Sequence, residues 1–286
     1  MKTALRDIAR QKKGALRRAA RRRAPPAAAP SSTPRDEAPL DEAGPSLVVA
    51  TYNVPACVGT DRRYDPARVA AVLRELGADI VSLQEVGTRR PGANLSDQAA
   101  FLAQATGLQI VSGPDRSYRH SRFGNAVLTR LPVLAVRYID LSVTGCEPRG
   151  ALDVDLDVGE RIAGGQALRV VATHFGLRGG ERRAQTLRLL GAIADIEPTD
   201  GSAILMMGDL NEWRGRRGGI RALDRELGRA PAPRTFPSWC PILPLDRIYA
   251  APPALVRDVA VHRSPLARLA SDHLPLRARL AWRAAA

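Results

Sequence analysis

Residues 203–211 read Ala-Ile-Leu-Met-Met-Gly-Asp-Leu-Asn, and the rest of the chain is interpreted outward from them. Ala203–Leu210 is a short apolar run of the length of a strand, consistent with one buried inside a layered α/β domain. Asp209 and Asn211 follow at spacing i, i+2, so both point to one side of an extended chain. A carboxylate and an amide at the end of such a strand are costly to bury unless they are paired or bind a cation.

Similar strands recur on both sides. Leu47–Val54, Asp79–Gln84, Ala126–Thr129, Leu134–Leu141, Ala151–Val158 and Leu168–Phe175 precede it, and Arg247–Ala250, Leu255–Val261 and Leu276–Trp282 follow. Helices are predicted between them. Asp65 caps one that starts at Pro66, buries Val69, Val72, Leu73 and Leu76, and stops at Gly77. A second lies near Ser96–Thr106, and a long one spans Glu181–Ile196 with Leu187, Leu190 and Ile193 facing inward. Mixed strands with helices between them predict two sheets packed face to face and flanked by helices.

The charge divides unevenly. Of 43 Lys and Arg residues, eleven precede residue 36, against the single acid Asp7; the remaining 251 residues hold 32 basic and 28 acidic side chains. The net charge of +14 therefore belongs mainly to a tail. Residues 1–23 carry a weak apolar stripe among basic side chains, and residues 24–46 are rich in Ala, Pro and Ser. The expected organisation is a disordered basic tail and linker over residues 1–45, then one catalytic domain over residues 46–286. The tail reads as a solvated segment or as an anchor on an anionic membrane surface, with a transit peptide as a weaker third reading. No apolar run reaches membrane-spanning length and no secretory h-region opens the chain, so a cytoplasmic protein, peripheral at the inner membrane surface if the tail anchors it, is expected.

Composition excludes several chemistries. All three lysines (Lys2, Lys12, Lys13) lie in the tail, so the domain has no P-loop, Schiff-base or kinase lysine. Three scattered cysteines without a C-x-x-C pair exclude a disulfide scaffold and a thiolate zinc site. There is no G-x-S-x-G elbow and no H-E-x-x-H. Four histidines (His120, His174, His262, His273) are too few for a multi-histidine metal cluster; His120 reads as a loop residue and His262 as structural.

Polar residues sit where strands end: Asn53, Glu85, Thr173-His174, Asp209 with Asn211, Asp246 and Asp272-His273. Singly, Asn53 reads as a turn amide, Glu85 as a helix-side charge and His174 as a satisfied core histidine. Together they are hard to explain as accidents of packing.

The ordered set Thr51-Tyr52-Asn53-Val54, Leu83-Gln84-Glu85-Val86, Phe123-Gly124-Asn125-Ala126, Pro148-Arg149-Gly150-Ala151-Leu152, Ala172-Thr173-His174-Phe175, Gly208-Asp209-Leu210-Asn211, Leu245-Asp246-Arg247-Ile248-Tyr249 and Ser271-Asp272-His273-Leu274-Pro275 resembles the endonuclease/exonuclease/phosphatase superfamily over residues 46–282. The loop after Asn53 and the Asn211-Glu212-Trp213 extension are similar to a bacterial subgroup that resembles the phosphatase-like domain of calcofluor-white-hypersensitive proteins. The resemblance implies a four-layered, DNase I-like α/β sandwich with a cleft where the strand ends of both sheets meet. It implies that Glu85, Asn53 and Asp272 hold a divalent cation, expected to be Mg²⁺ with Mn²⁺ or Ca²⁺ as alternatives. It further implies that His273, oriented by Asp246, serves as general base or phosphate contact. Asp209 would align or deprotonate water, and Asn211 would donate to a phosphoryl oxygen. His174 would contact phosphate or protonate the leaving group, Arg149 would clamp a non-bridging oxygen, and Asn125 would organise the cleft. Pro55 departs from the polar or basic side chain that relatives often place after the asparagine, which leaves that loop stiff and apolar. Trp213, Phe236 and Trp239 lie near the motif loops and are candidates for a cleft rim.

The expected activity is metal-dependent hydrolysis of a phosphodiester or phosphomonoester, of a lipid headgroup or small molecule, by a monomer. A nuclease is the first alternative, but a near-neutral domain with 4% aromatic residues offers little stacking surface for nucleic acid. A non-catalytic binding module is the second, and no motif residue is missing to support it.

Overall fold

The computed structural model describes residues 46–87, 95–112, 124–159, 167–195, 203–213, 215 and 218–281. The tail and linker, His120, Phe123 and Trp282 lie outside the described residues.

Eleven strands are described. Six form one sheet: β1 (Ser46–Asn53), β2 (Ile80–Val86), β3 (Gln109–Ser112), β4 (Gly124–Thr129), β10 (Val256–Val261) and β11 (Leu276–Ala281), in the order β10-β11-β1-β2-β4-β3. The other five, β5 (Val133–Asp140), β6 (Gly150–Asp157), β7 (Ala167–His174), β8 (Ala203–Asp209) and β9 (Asp246–Ala251), lie in sequence order in a second sheet. Only β1–β2 and β7–β8 pair in parallel, so both sheets are mixed.

Alternation explains the layers. Leu47 and Val49, Leu168, Val170 and Ala172, Leu205 and Met207, and Ile248 and Ala250 share one core between the sheets. The opposite faces bury Ala50, Tyr52, Val81 and Leu83 under α1 (Pro66–Leu76), α2 (Leu95–Thr106) and α5 (Pro265–Ala270). On the second sheet Ala151, Val171, Met206 and Tyr249 pack under α3 (Gly179–Ala194) and α4 (Gly219–Glu226). Helix, sheet, sheet and helix make the four-layered sandwich that the sequence predicts. Strands buried on both faces read as continuous apolar runs, which is why residues 203–210 carry so little alternation.

Local signals fix the helix ends. The Asp65 carboxylate accepts from Arg68 N at 2.9 Å, Pro66 occupies the first turn and Gly77 closes α1 at φ 56°. The sequence reading of α3 needs correction. Leu187 is 56% exposed, while Arg182, Gln185, Thr186, Leu189 and Ile193 face inward and Leu190 is half-buried. The N-terminal half of this helix turns polar side chains toward the loops beside it, so the apolar residues mark the wrong face there. The short strand β3 and the short helices α4 and α5 are additions to the sequence reading.

Among the described residues, the most deeply buried carboxylate outside the strand-end motifs lies on β6. Asp153 on β6 is fully buried and gripped by Arg169 at 2.6 Å and Arg137 at 3.2 Å. Burial pushes its pKa up, but the two guanidinium groups outweigh that and hold it below the usual carboxylate range.

Gly208 lies where β8 meets β7: a Cβ there would stand 1.8 Å from the Thr173 carbonyl oxygen. That oxygen belongs to a paired strand and cannot retreat. Gly208→Ala is therefore expected to cost about 3 kcal/mol, the upper end of overpacking penalties, as a lowered midpoint in urea unfolding. A wild-type midpoint would show that the two strands give way easily.

Candidate active site

Strand direction alone gathers the polar residues. β1, β2, β7 and β8 finish at one end of the sandwich with Asn53, Glu85, His174 and Asp209. β4, β6, β9 and β11 run opposite to their partners, so their first residues reach the same end: Asn125, Gly150 just after Arg149, Asp246, and Leu276 just after Asp272-His273. Asp209 and Asp246 are register partners, as are His174 and Asp209. The stripes facing the inter-sheet core change character on the way. Leu47, Val49, Thr51 and Asn53 form one such series, Leu168, Val170, Ala172 and His174 a second, and Ala203, Leu205, Met207 and Asp209 a third. Each remains in register with the core and turns polar at its last residue.

Asn53 is the junction. Its Nδ2 donates to Asp209 Oδ2 at 3.0 Å and to Glu85 Oε1 at 3.3 Å, linking strands of different sheets. Asp209 Oδ1 accepts from the Asn211 backbone N at 2.8 Å. Asn211 Nδ2 lies 3.1 Å from His174 Nε2 and donates to the Phe175 carbonyl at 2.8 Å. Glu85 and Asn211 both sit at positive φ, 56° and 50°. Such backbone is costly for residues with a Cβ and persists where the surroundings impose it, often at functional sites. At Glu85 the imposition is visible as a register shift between Leu83 and Val86 against β4. This bulge re-aims the Glu85 side chain.

On the other side, His273 Nδ1 lies 3.0 Å from Asp246 Oδ2, and Thr235 Oγ1 donates to the same oxygen at 2.5 Å. His273 Nε2 is 3.7 Å from Asp209 Oδ2, and His174 Nε2 is 3.6 Å from it. Ser271 Oγ donates to the Asn53 carbonyl at 2.6 Å and accepts from His273 N at 3.0 Å, tying this turn to β1. His273 is fully buried. Burial pushes its pKa down, but the charges of Asp246 and Asp209, with the Asp246 hydrogen bond and Asp272 adding to them, raise it from 6.5 to about 9. A value of about 9 favours the doubly protonated imidazole at neutral pH.

Glu85, Asn125, Arg149 and His174 line one cleft with Gly124, Pro148 and Gly150. Asn125 Nδ2 donates to the Gly150 carbonyl at 2.8 Å, fastening the two sheets across the cleft floor. Arg149 is nearly buried; its Nη2 donates to Glu147 at 2.9 Å, and its Nε has no hydrogen-bond partner among the described residues. Asp272 is half-buried, with its backbone carbonyl accepting from Ser238 N at 2.8 Å and its carboxylate charge felt at His273.

Two groupings invite a cation. Asn53 Oδ1 is buried with no hydrogen-bond partner among the described residues, and the Glu85 carboxylate lies beside the same amide. These are hard oxygen donors, which suits a divalent ion of the Mg²⁺ type. The ligand atoms of Asp209, Asp246 and His273 also fall within 4.8 Å of one another. There, however, the imidazole and the Thr235 hydroxyl already bind the Asp246 carboxylate, so that trio reads as a histidine–carboxylate pair facing a second acid.

Thr235 and Ser271 are participants to which the sequence reading gave no role, and Phe236, a rim candidate there, has its ring centroid 4.9 Å from that of His273. Ser271 opens a quoted motif and was within reach; Thr235 precedes Asp246 by eleven residues and carries no local signal. Trp213 lies beneath Arg182, 4.7 Å from the guanidinium, whereas Trp239 is on the surface. His262 pairs with Glu75 at 2.7 Å, away from the site residues.

The model of the Endonuclease/Exonuclease/phosphatase family matches residues 50–273. The uncharacterized protein YbhP of Escherichia coli K12 is 31% identical over 250 residues, covering 82% of this chain and 96% of the relative. The endonuclease/exonuclease/phosphatase of Bacteroides vulgatus superposes with a TM-score of 0.67 at 18% identity, over 83% of this chain and 99% of that one. The catalytic domain of human Nocturnin, solved with a bound sulfate anion, gives 0.64 at 20% identity, over 85% and 96%.

The elevated His273 pKa has a stability consequence. A folded pKa near 9 against an ordinary 6.5 contributes stability in full below pH 6.5 and loses it as pH rises to 9. In EDTA, unfolding free energy is expected to fall by about 1 kcal/mol per pH unit across that window, and His273→Asn is expected to remove the decline. A pH-independent wild type in urea melts would show that the imidazole is neutral throughout.

Proposed function

Since the chain belongs to the endonuclease/exonuclease/phosphatase family, we propose that it is a metal-dependent hydrolase of phosphoric esters, acting on the phosphodiester or phosphomonoester of a lipid headgroup or small molecule. The observation that carries the reading is the junction at Asn53: a buried amide bonded to an acid from each sheet, with its own oxygen left over.

Glu85 and Asn53, with Asp272 close to His273, would hold the cation. When bound, that ion supplies charge neutralisation at the phosphate and at the departing oxygen. Asp209 accepts the proton of the attacking water; its carboxylate is held by the Asn53 amide and the Asn211 N–H, so it cannot rotate away. The Arg149 guanidinium donates to the non-bridging oxygens, and Asn211 Nδ2, held by the Phe175 carbonyl, would reach a phosphoryl oxygen by giving up its contact with His174 Nε2; both stabilise charge that grows there. His273, positioned by Asp246, donates from Nε2 to a phosphoryl oxygen while it carries both protons, and would serve as general base once it has given one up. His174, bordering the same cleft, returns a proton to the leaving oxygen as the P–O bond breaks. Asn125 keeps the cleft floor closed.

Two observations favour a lipid or small phosphoester over a nucleic acid. Residues 36–286 carry 32 basic against 28 acidic side chains, and the densest positive charge lies in residues 1–35. Residues 1–23 then serve as a peripheral anchor on an anionic inner-membrane surface, each basic residue adding about 1 kcal/mol near the headgroups. No described helix is long and apolar enough to cross a membrane.

Glu85→Gln and His273→Asn are each expected to lower Mg²⁺-dependent turnover at least about a hundredfold with the circular-dichroism spectrum preserved. The assay is a panel of phospholipids, inositol phosphates and plasmid DNA, with Mg²⁺ and then with EDTA. Undiminished turnover in either variant overturns the mechanism, and plasmid nicking without headgroup release replaces the substrate class. Deleting residues 1–35 is expected to weaken sedimentation with anionic vesicles and to spare hydrolysis of a soluble ester; equal sedimentation would remove the anchor.

A further inference from the structure

We propose that a rim beside the cleft, built from the loop over residues 58–64, the Ser238–Cys240 turn and the end of α5, seats on an anionic phospholipid surface and brings lipid headgroups to the site. The inference deepens the lipid-headgroup reading and rests on it for the identity of the substrate.

Trp239 is 69% exposed although the three residues before it, Phe236, Pro237 and Ser238, are buried. The turn is tied directly to the catalytic end of the fold. Ser238 N donates to the Asp272 carbonyl at 2.8 Å, Phe236 stacks obliquely on His273, and Ser238 Oγ donates to the Arg268 carbonyl at 3.1 Å. Arg268 Nη1 reaches back to the carbonyls of Ser238 and Trp239, at 3.0 and 3.3 Å. The next residue, Leu269, is 39% exposed, and its carbonyl accepts from Thr60 N at 2.9 Å. Tyr64, 44% exposed, closes the same loop by bridging Val58. Three large apolar residues are thus held outward by a hydrogen-bonded frame. A rigid frame that presents apolar side chains to water marks a docking surface better than scattered exposure does.

The residue types select the occupant. Trp and Tyr favour the headgroup region of a bilayer, and Leu gains from entering the acyl boundary. The charges around them complement an anionic surface. Arg62, Arg63 and Arg234 are exposed, whereas the nearby acids Asp61 and Asp65 are both engaged by Arg68, at 3.1 and 3.3 Å. A single-stranded nucleic acid would need successive aromatic faces for its bases; here the two rings, Tyr64 and Trp239, come from separate loops and share the rim with the aliphatic Leu269. The tail provides long-range attraction to the same surface, and the rim determines which end of the fold faces it.

The test uses the full-length protein and vesicles of phosphatidylcholine, with or without phosphatidylglycerol, whose acyl chains carry bromine. Bromine quenches only indoles that reach the acyl boundary. Mixed anionic vesicles are expected to quench part of the tryptophan emission, and Trp239→Phe is expected to abolish that quenching. Leu269→Asp, at an exposed position, is expected to weaken vesicle sedimentation about tenfold. Quenching that persists in Trp239→Phe, equal quenching by neutral vesicles, or quenching relieved by an oligonucleotide would each overturn the rim. Headgroup release is scored separately: quenching through Trp239 without turnover of any lipid retains the rim and removes the substrate, and turnover without quenching does the reverse.

Discussion

The structure depends on one amide. Asn53 Nδ2 donates to Glu85 from its own sheet and to Asp209 from the opposite one. Two carboxylates brought together in a low-dielectric interior repel each other and lose hydration, and neither cost is met by apolar packing. A neutral donor between them relieves the repulsion without consuming either charge. Its Oδ1 is buried with no hydrogen-bond partner among the described residues, so one side chain fastens the sheets with its nitrogen and keeps an oxygen whose chemistry suits a hard cation. An aspartate at this position would supply oxygens but no donor. A leucine would pack but leave both acids stranded.

The rest of the cleft follows from how a sandwich ends. The inter-sheet core is apolar along its length, and Thr51, Ser82, Gln84 and Thr173 form a polar layer where the strands approach the cleft. Thr51 donates to Gln84 Oε1 at 3.2 Å, and Gln84 Nε2 donates to Ser82 Oγ at 2.7 Å. This layer separates the polar strand ends from the hydrocarbon core. The positive φ of Glu85 and of Asn211 is maintained by the same surroundings, since each lies where a strand leaves a sheet under imposed geometry.

Much of this was legible in the sequence, for a physical reason. A strand buried on both faces must be apolar, so a polar residue at the end of such a run is conspicuous, and Asn53, Asp209, Asp246 and His174 were visible on that ground. The layered α/β class followed from the same runs. What the sequence concealed is what depends on partners distant in the chain. Thr235 matters only because the fold brings it against Asp246, and the bulge that aims Glu85 exists only in β2's register with β4. The inward face of α3 was misread because apolar periodicity assumes an apolar neighbour.

That misreading exposes how the site is braced. Arg182 on α3 bonds Glu212 at 3.1 Å, donates to the Leu177 carbonyl at 2.7 Å and stacks on Trp213, while Gln185 Oε1 accepts from Gly176 N at 2.8 Å. The loops so held are the ones leaving β7 after His174 and β8 after Asp209. A buried ion pair is weak evidence for stability, because apolar residues of similar volume often serve as well. They would not serve here. A hydrocarbon contact fixes volume but not direction, and the backbone carbonyls and amides of these loops need donors and acceptors at set angles. The polar face of α3 is therefore best understood as a brace for the His174 and Asn211 loops, with Leu187 turned to solvent as the consequence of that orientation.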